Sequence, residues 1–417
     1  MAAQVNLQRN SKVFWSTVDI NGGATSASLT PTNTWRVEVL AGMAFSQAAA
    51  NQDITTFESG LTPDRATQRF NTAIEPTEWN FQAYLRPTGI VTPVTGAGGT
   101  TNSNVLPVAD WFLWQSMLSN HAFASGAVLG SAWQAGGKFA LINRVETANV
   151  SAHNPNFAVA SESHLYIQTD NIIYQVANAT VNQATVDAAI DGIASTTWTG
   201  FGTNLVELQN APRDIAVSVF GGIQNDGTVL ATNASSVELT AEGSYHPWNS
   251  YNVNGTLATA DFIKNRLSTI AITDESSGAS IAYSFPVTAL SIDFNNNITY
   301  LTPEELAALN QPIGQFVGSR TITGSLSAYL RGGTDNSAAL LRNISSNTST
   351  NTSDGSAANL VIGGATAPYV AFNFPAVQFS FPTTSLDDVL SIDVEFLAQE
   401  TDANKGKGDE VTIIAVK

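Results

Sequence analysis

RTITGSLSAYLR, residues 320–331, alternates apolar and polar side chains along its whole length. One set of alternate positions is apolar or small: Ile322, Gly324, Leu326, Ala328 and Leu330. The other set is polar apart from a terminal tyrosine: Thr321, Thr323, Ser325, Ser327 and Tyr329. Because successive side chains of a strand point to opposite faces, the pattern predicts a sheet with one dry face and one wet, neutral face.

Two further runs share this design. EWNFQAYLR, residues 78–86, sets Trp79, Phe81, Ala83 and Leu85 against Glu78, Asn80, Gln82 and Tyr84. Near the C-terminus, Leu390, Ile392, Val394 and Phe396 alternate with Ser391, Asp393 and Glu395. The runs 78–86 and 323–331 also align without gaps and share Ala-Tyr-Leu-Arg, so an internal duplication is one hypothesis.

Strand signals dominate the rest of the chain and predict a mainly β fold with a few short helices. The clearest predicted strands are residues 35–39, 78–85, 179–187, 215–220, 269–273, 287–294, 320–330 and 389–397. Helices are predicted at 108–118, with Pro107 in the first turn, and at 303–309, with Thr302 as N-cap. Residues 87–104, with a Gly-rich centre, and 345–358, rich in Ser, Thr and Asn, are predicted to be exposed loops.

The composition favours an assembling protein over a nucleic-acid binder. Only 12% of the 417 residues are charged, against about 25% in typical domains, so neutral polar side chains cover most of the surface. The 34 acidic and 17 basic residues give a net charge of −17, which argues against gripping phosphates. The N-terminus lacks a secretory pattern and no window is apolar enough to span a membrane, so we expect synthesis in the host cytoplasm without membrane insertion.

Catalytic and metal-binding motifs receive no support from the sequence. Cysteine is absent, and the histidines, His121, His153, His164 and His246, show no ligand spacing. Asp293, Asn295, Asn297 and Glu304 have the spacing of a calcium loop, but Ile298 stands where Gly is needed. No phosphate-binding loop or nucleophile elbow occurs. We therefore expect no enzymatic activity and no cofactor.

Three stretches, in this order along the chain, resemble the major tail tube proteins of long-tailed phages. They are residues 69–87, 174–202 and 297–324. The resemblance implies β-sandwich or barrel domains, rings of subunits stacked into a tube, and DNA passing through the lumen. It further implies partners such as sheath, baseplate or initiator, and terminator proteins, and a place in the virion tail.

With the duplication, the resemblance implies two tube-like units. The first spans residues 30–205, with an inserted loop and helix at 87–160; a β segment at 206–266 connects it to a second unit at 267–400, and 401–417 form a tail. One tube domain per chain implies hexameric rings, and a doubled domain implies trimeric ones. The candidate lumen-facing residues are Glu78, Asn80, Gln82, Asp293, Ser325, Ser327, Asp393 and Glu395.

Two alternatives of other classes stay open at this point. A receptor- or glycan-binding surface protein of the virion would use an exposed aromatic platform, for which the candidates are Trp111, Trp114, Trp248 and Tyr251. The helical spacing of Trp111 and Trp114 favours a core position instead. A tail glycanase would need two converging carboxylates, for which Asp387-Asp388 and Glu304-Glu305 are candidates.

Overall fold

The computed structural model describes residues 11–16, 19, 34–54, 68–86, 92–95, 101–105, 110–118, 138–142, 163–169, 172–207, 263–274, 281–302, 310–348, 356–364, 368–385, 390–401 and 410–416. Within them the chain is mainly β, with antiparallel sheets in a sandwich-like arrangement, as predicted. None of the helices among these residues is long and apolar enough to cross a membrane.

The strands of the N-terminal part are β1 (Ser11–Ser16), β2 (Thr34–Val37), β3 (Ala44–Ser46), β4 (Ala49–Ile54), β5 (Gln68–Ile74), β6 (Thr77–Tyr84), β7 (Thr92–Thr95), β8 (Thr101–Val105), β9 (Lys138–Ile142), β10 (Ser163–Thr169), β11 (Ile172–Ala189), β12 (Ser195–Gly202) and β13 (Asn204–Glu207). Those of the C-terminal part are β14 (Thr269–Asp274), β15 (Ile281–Pro286), β16 (Ala289–Asn295), β17 (Ile298–Leu301), β18 (Gly314–Val317), β19 (Thr321–Tyr329), β20 (Ser356–Ile362), β21 (Tyr369–Phe379), β22 (Thr383–Ser385), β23 (Ser391–Ala398) and β24 (Thr412–Val416). The helices are α1 (Trp111–Met117) and α2 (Ser337–Thr348).

Eight strands form one continuous layer, which we call the long sheet. Their order is β3, β6, β12, β11, β16, β19, β23, β22, and every neighbouring pair is antiparallel. The alternating runs found in the sequence are β6, β19 and β23 of this sheet. Their apolar faces are buried on the same side, so the sequence pattern correctly predicted the dry face.

Two smaller layers cover the dry face of the long sheet. One contains β2, β1, β10, the first half of β11 and β13; the other contains β15, β14, β20, β21, β24 and β9. Ring contacts join the layers: Trp15 lies 5.8 Å from Trp79, and Phe374 lies 5.3 Å from Phe396. The core between the layers is therefore largely aromatic and branched aliphatic.

Helix α1 closes the middle of this core. The Trp114 ring is fully buried and lies 4.8 Å from Trp198, 5.0 Å from Phe294 and 6.0 Å from Phe372. These partners belong to strands β12, β16 and β21, so one side chain contacts both parts of the chain. The predicted helix at 108–118 is thereby confirmed as α1.

The strand pairings of residues 11–207 recur in residues 263–416. In the first part, β1 pairs with β2 and β10, β10 with β11, β11 with β12 and β13, and β12 with β6. In the second part, β14 pairs with β15 and β20, β20 with β21, β21 with β23 and β24, and β23 with β19. A two-strand hairpin precedes β6 and β19 alike, namely β4–β5 and β17–β18. The two Ala-Tyr-Leu-Arg runs thus occupy matching places.

Three segments differ from the sequence predictions. Residues 87–104 contain most of the hairpin β7–β8, because Thr- and Val-containing runs flank the Gly-rich turn. Of residues 345–358, the first four belong to α2 and the last three to β20. Leu340 and Ile344 are buried one helical turn apart, and Ala339 and Leu341 pack beside them, so this apolar side anchors α2 to the core while its last turn is polar. Residues 412–416, expected in a tail, form β24 and pair with β21 and β9.

Two predicted elements lie outside the described residues. They are the strand at 215–220 and the helix at 303–309.

Candidate functional site

The wet face of the long sheet gathers all eight residues that the sequence analysis selected. Residues directly opposite each other in a ladder point to the same face, and the registers of the strand pairs connect the strands in rows. One row reads Asn80, Thr199, Gln183, Asn295, Thr321; the next reads Gln82, Thr197, Thr185, Asp293, Thr323. A third reads Ser195, Asp187, Ser291, Ser325, Glu395.

The eight residues fall into two groups on this face. Ser325 lies opposite Glu395, and Ser327 lies opposite Asp393. Asp293 is on the adjoining strand β16. Glu78, Asn80 and Gln82 lie on β6, separated from Asp293 by strands β12 and β11. The face is therefore an extended surface rather than a cleft.

Five carboxylates are distributed over the wet face: Glu78, Asp187, Asp293, Asp393 and Glu395. The described side chains of the eight strands place no Lys or Arg there to balance them. Like charges on one low-dielectric wall add to a negative potential in front of it. The face consequently repels anions and attracts small cations.

Neutral donors hold several of these carboxylates in place. Gln183 Nε2 and Thr185 Oγ1 each donate to Asp293 Oδ1 at 2.7 Å, and Ser291 Oγ donates to Asp187 Oδ1 at 2.7 Å. Ser327 Oγ donates to Asp393 Oδ1. Hydroxyl and amide donors satisfy a carboxylate without cancelling its charge, so the negative potential is kept.

Asp187 is a wet-face carboxylate that the sequence analysis did not select. It ends the polar series Gln183, Thr185, Asp187, which alternates with the buried Ala184 and Val186. The predicted strand at 179–187 included it, and the period-two alternation gave the signal. Only the pairing of β11 with β16 places this carboxylate beside Ser291.

Glycine and an aromatic ring face each other on the dry side in both parts of the long sheet. In the first part, Trp79 of β6 lies opposite Gly200 of β12; in the second, Gly324 of β19 lies opposite Phe396 of β23. A Cβ at Gly200 would lie 2.3 Å from the Trp79 ring, and one at Gly324 would lie 2.2 Å from the Phe396 ring. Each ring therefore fills the space that its glycine leaves. Strand β6 corresponds to β19 and strand β12 to β23, so the ring and the glycine have exchanged strands between the two parts.

Polar contacts reinforce the junction between the two parts, where β11 pairs with β16. Asn182 Oδ1 accepts from Ile298 N at 2.8 Å, and the buried Asn296 Nδ2 donates to Met117 O at 2.8 Å. Tyr300 Oη donates to Asn178 O at 3.0 Å. This junction is thus a continuous ladder with side-chain anchors at its end.

Two buried ionisable groups lie away from the wet face. Burial is the main cause that raises the pKa of Asp110 to about 7, while the nearby Arg86 guanidinium acts in the opposite direction. Arg86 is itself buried and forms an ion pair with Glu38. Burial lowers the pKa of His164, which lies 3.4 Å from Gln175 Nε2 through Nδ1. Both groups are packed inside the sandwich.

The candidates for a metal site, a glycanase site and an aromatic binding platform remain to be located. Within the described part of the chain, no group of three or more His, Asp or Glu side chains could hold a metal ion. His121, His153, His246, Glu304 and Asp387-Asp388 lie outside it, as do Trp248 and Tyr251 of the aromatic platform. Trp114 of that platform is fully buried, so it cannot contribute to an exposed binding surface.

Comparison with known proteins adds one relative. The chain is 28% identical over 405 residues to the tail tube protein pb6 of Escherichia phage T5, and the match covers 96% of this chain and 74% of pb6. No protein-family model matches the sequence. The resemblance noted in the three sequence stretches is thereby confirmed over nearly the whole chain.

Proposed function

We propose that this chain is a phage tail tube protein, similar to pb6 over nearly its whole length, and that it polymerises as stacked rings into the tube through which a phage genome leaves the capsid. Its role is structural and its place is the virion tail. The observation that carries the proposal is the wet face of the long sheet, with five carboxylates and no described basic side chain. Such a wall suits a channel for DNA because it repels the phosphate backbone and lets the duplex slide.

The repeated pairing pattern supports two tube-like units in one chain. The units would span residues 11–207 and 263–416, wider than the 30–205 and 267–400 expected from sequence because β1, β13 and β24 pair within them. Each unit contributes four strands to the long sheet: β3, β6, β12 and β11 from the first, and β16, β19, β23 and β22 from the second. Residues 208–262, between the units, lie outside the described residues.

The size of the long sheet favours three chains per ring. Strands about 4.8 Å apart and tilted by about 40° each take up about 6 Å of a barrel's circumference. Eight strands then cover about 50 Å, so three chains close a barrel about 48 Å wide between backbones and six close one of about 96 Å. The smaller barrel already leaves room for a duplex inside its side chains. We therefore propose a trimeric ring with pseudo-sixfold symmetry.

The other partners follow from the same proposal. A tube needs an initiator or baseplate at one end and a terminator at the other, and a contractile tail adds a sheath. DNA would pass the wall without specific binding, and the chain would need neither an enzymatic activity nor a cofactor. No described feature favours the receptor-binding alternative, whose Trp114 is buried.

Negative-stain electron microscopy with mass photometry across a concentration series tests the assembly. We expect hollow tubes or stacked rings with three chains per ring. A chain that stays monomeric at all concentrations, even with an initiator complex added, would refute the tube proposal. Rings of six would refute only the stoichiometry.

The electrostatic part of the proposal needs a separate test. Replacing the five wet-face carboxylates by their amides should make assembled tubes retain a fluorescent DNA duplex at low salt, whereas wild-type tubes should release it. A control removes three carboxylates elsewhere, Asp53→Asn, Asp191→Asn and Asp335→Asn, and is compared with the wet-face triple variant Asp187→Asn, Asp293→Asn and Asp393→Asn as well as with the fivefold one. Equal retention by the control and the wet-face variant would contradict an electrostatic role of this face.

A further inference from the structure

Strand β24 lies between two strands that come from different parts of the chain. Its residues 412–416 form one antiparallel ladder with residues 369–373 of β21 and a second with residues 138–142 of β9. This second ladder is the one pairing that β9 makes among the described strands. The backbone of β24 is therefore the sheet connection between β9 and the second unit. We call the space between β21 and β9 the β24 slot.

Strand β9 belongs to the same inserted segment of the first unit as α1, the helix that fills the middle of the core. The Trp114 ring of α1 lies 6.0 Å from the ring of Phe372 on β21. Phe372 is opposite Ile413 of β24, so their side chains lie on one face of this layer. All three side chains are fully buried. A filled β24 slot thus completes the wall against which α1 packs.

The β24 slot also has a charged end. Glu410, directly before β24, has its Oε1 atom 3.8 Å from Nη2 of Arg320, and both side chains are largely buried. Two further donors of Arg320, Nε and Nη1, are buried and meet no acceptor among the described residues. A buried cation is costly without a counter-charge, so Arg320 favours a segment that brings a carboxylate to this place.

Residues 410–416, Glu-Val-Thr-Ile-Ile-Ala-Val, have the pattern that such a slot selects. Val411 and Ile413 are fully buried, with the half-buried Thr412 between them. Sheets that bind an added strand recognise it in this way, through main-chain hydrogen bonds and pockets for alternate side chains. The matching ligand is an extended peptide in which a carboxylate precedes alternate β-branched apolar residues.

The first unit holds its corresponding strand differently. Strand β13 pairs with β11 as β24 pairs with β21, but only Thr203 separates β13 from β12. Residues 399–411 connect β23 to β24, so β24 can leave its place without unpairing β23. The entropy of closing a loop rises only slowly with its length, so this longer connection costs little. Of these two strands, only β24 has a connection that permits exchange.

We infer that the β24 slot is a peptide-binding site whose ligand is the chain's own segment 410–416, and that this segment acts as an exchangeable closing strand. When the slot is filled, β9 and α1 are held against the second unit. When it is empty, β9 loses its ladder and α1 loses part of its wall, while the long sheet keeps its pairings. A separate peptide of the same sequence should therefore be able to replace the segment.

A cleavable connection tests this inference without requiring a truncated chain to fold. A specific protease site replaces residues 403–408, and the whole chain is folded, purified and cut. Mild urea then releases the segment, and gel filtration removes it. We expect the remaining chain to bind a fluorescent peptide of residues 410–417, as measured by fluorescence anisotropy. The uncut chain is the matched control and should bind none, because its attached segment occupies the slot.

Hydrogen exchange followed by mass spectrometry shows what the closing strand holds in place. With the slot empty, amides of residues 110–118 and 138–142 should exchange about tenfold faster or more, because their local opening no longer has to break the contacts with β24. Amides of β12 and β19 in the long sheet should stay protected. Adding the peptide should restore the protection of α1 and β9.

Peptide variants test the recognition. Ile413→Asp should abolish binding, because this side chain is fully buried. Glu410→Gln should weaken binding by about tenfold or more on the wild-type chain, and should not weaken it on a chain carrying Arg320→Met. Thr412→Ser, at the half-buried position, is the control and should bind like the natural sequence. An equal loss from Glu410→Gln on both chains would contradict the role of Arg320.

Three results would overturn the inference as a whole. A cut chain that neither releases its segment nor takes up the peptide would show that the strand is not exchangeable. A chain that unfolds completely without the segment would make β24 an ordinary core strand. Unchanged exchange in α1 and β9 with the slot empty would show that β24 does not hold them. These measurements use the unassembled chain, so their outcome does not depend on the proposed tube.

Discussion

The two halves of the long sheet share a pairing pattern but distribute side-chain volume differently. In the first half the ring is Trp79 on β6 and the glycine is Gly200 on β12; in the second half the ring is Phe396 on β23 and the glycine is Gly324 on β19. Each half thus combines one aromatic side chain with one glycine in the cross-strand pair, but the large side chain is not at the same position of the pair in the two halves. A position-by-position alignment of the halves therefore sets Trp79 against Gly324 and Gly200 against Phe396, although the two pairs occupy matching places.

The largest expected effect comes from a substitution that disrupts one of these glycine–ring pairs. Gly200→Ala puts a Cβ 2.0 Å from the Thr180 carbonyl oxygen, a backbone atom, while Gly324→Ala meets only the Phe396 ring. We expect Gly200→Ala to lower the free energy of unfolding by about 3–5 kcal/mol or to prevent folding, and Gly324→Ala to cost about 1–3 kcal/mol. Urea unfolding of the unassembled chain measures both.

A double variant sharpens this test. Phe396→Leu frees space over residue 324 and should recover part of the loss caused by Gly324→Ala. The equivalent Trp79→Leu should recover little for Gly200→Ala, because the carbonyl contact remains. Equal recovery in both halves would contradict the distinction.

The shared arginine of the two Ala-Tyr-Leu-Arg runs gives the next largest contrast. Arg86 is buried and paired with Glu38, whereas Arg331 is exposed. Arg86→Ala removes the buried cation that pairs with Glu38, and we expect it to lower the free energy of unfolding by about 2–4 kcal/mol. Arg331→Ala should change the urea midpoint by less than the measurement error. Similar losses at both positions would mean that Arg331 is also covered in solution.

Asp110 has no carboxylate counterpart at the start of α2, where Asn336 precedes Ser337. Burial raises its pKa to about 7 from 3.8, so the folded chain binds this proton more tightly than the unfolded chain. Its contribution to stability is complete below about pH 4 and is lost as the pH rises through about 7. Asp110→Asn should therefore be more stable than wild type at pH 8, by roughly 1–3 kcal/mol, and equal to it at pH 4.

Thermal unfolding from pH 4 to pH 8 follows the difference between the two chains. A difference that does not vary with pH would show that packing, and not ionisation, sets the effect. Asp191→Asn, at an exposed turn, serves as the control and should show no comparable trend.

The smallest expected effect concerns the wet face. Asp187→Asn and Asp393→Asn each keep an acceptor for the neighbouring serine, Ser291 and Ser327, so the hydrogen bonds survive. Each should change the free energy of unfolding by less than about 0.5 kcal/mol in either half. A loss several times larger in one half would reveal that its carboxylate supports the fold as well as the surface charge.

The sequence by itself determined the fold class and the wet face. Period-two alternation in β6, β19 and β23 fixes which side chains share a face, since a strand leaves no other choice. Seven of the eight candidate residues lie on these three strands, and the eighth, Asp293, lies on β16. The sequence also predicted α1, because the Trp114 stripe recurs with helical spacing. It missed the last turn of α2 and the β7–β8 hairpin, because both lie in stretches rich in Ser, Thr, Asn and Gly that were predicted to be loops.

Only the tertiary structure decided which strands are neighbours. The ladder between β11 and β16 joins residues a hundred or more positions apart, and nothing local in either strand encodes that pairing. The same holds for Asp187 beside Ser291, for the ring over each glycine, and for the place of β3 and β22 at the two ends of the long sheet among the described strands. Alternation is a property of one strand, whereas register and edge are properties of a pair, and a pair is fixed only when the whole core packs.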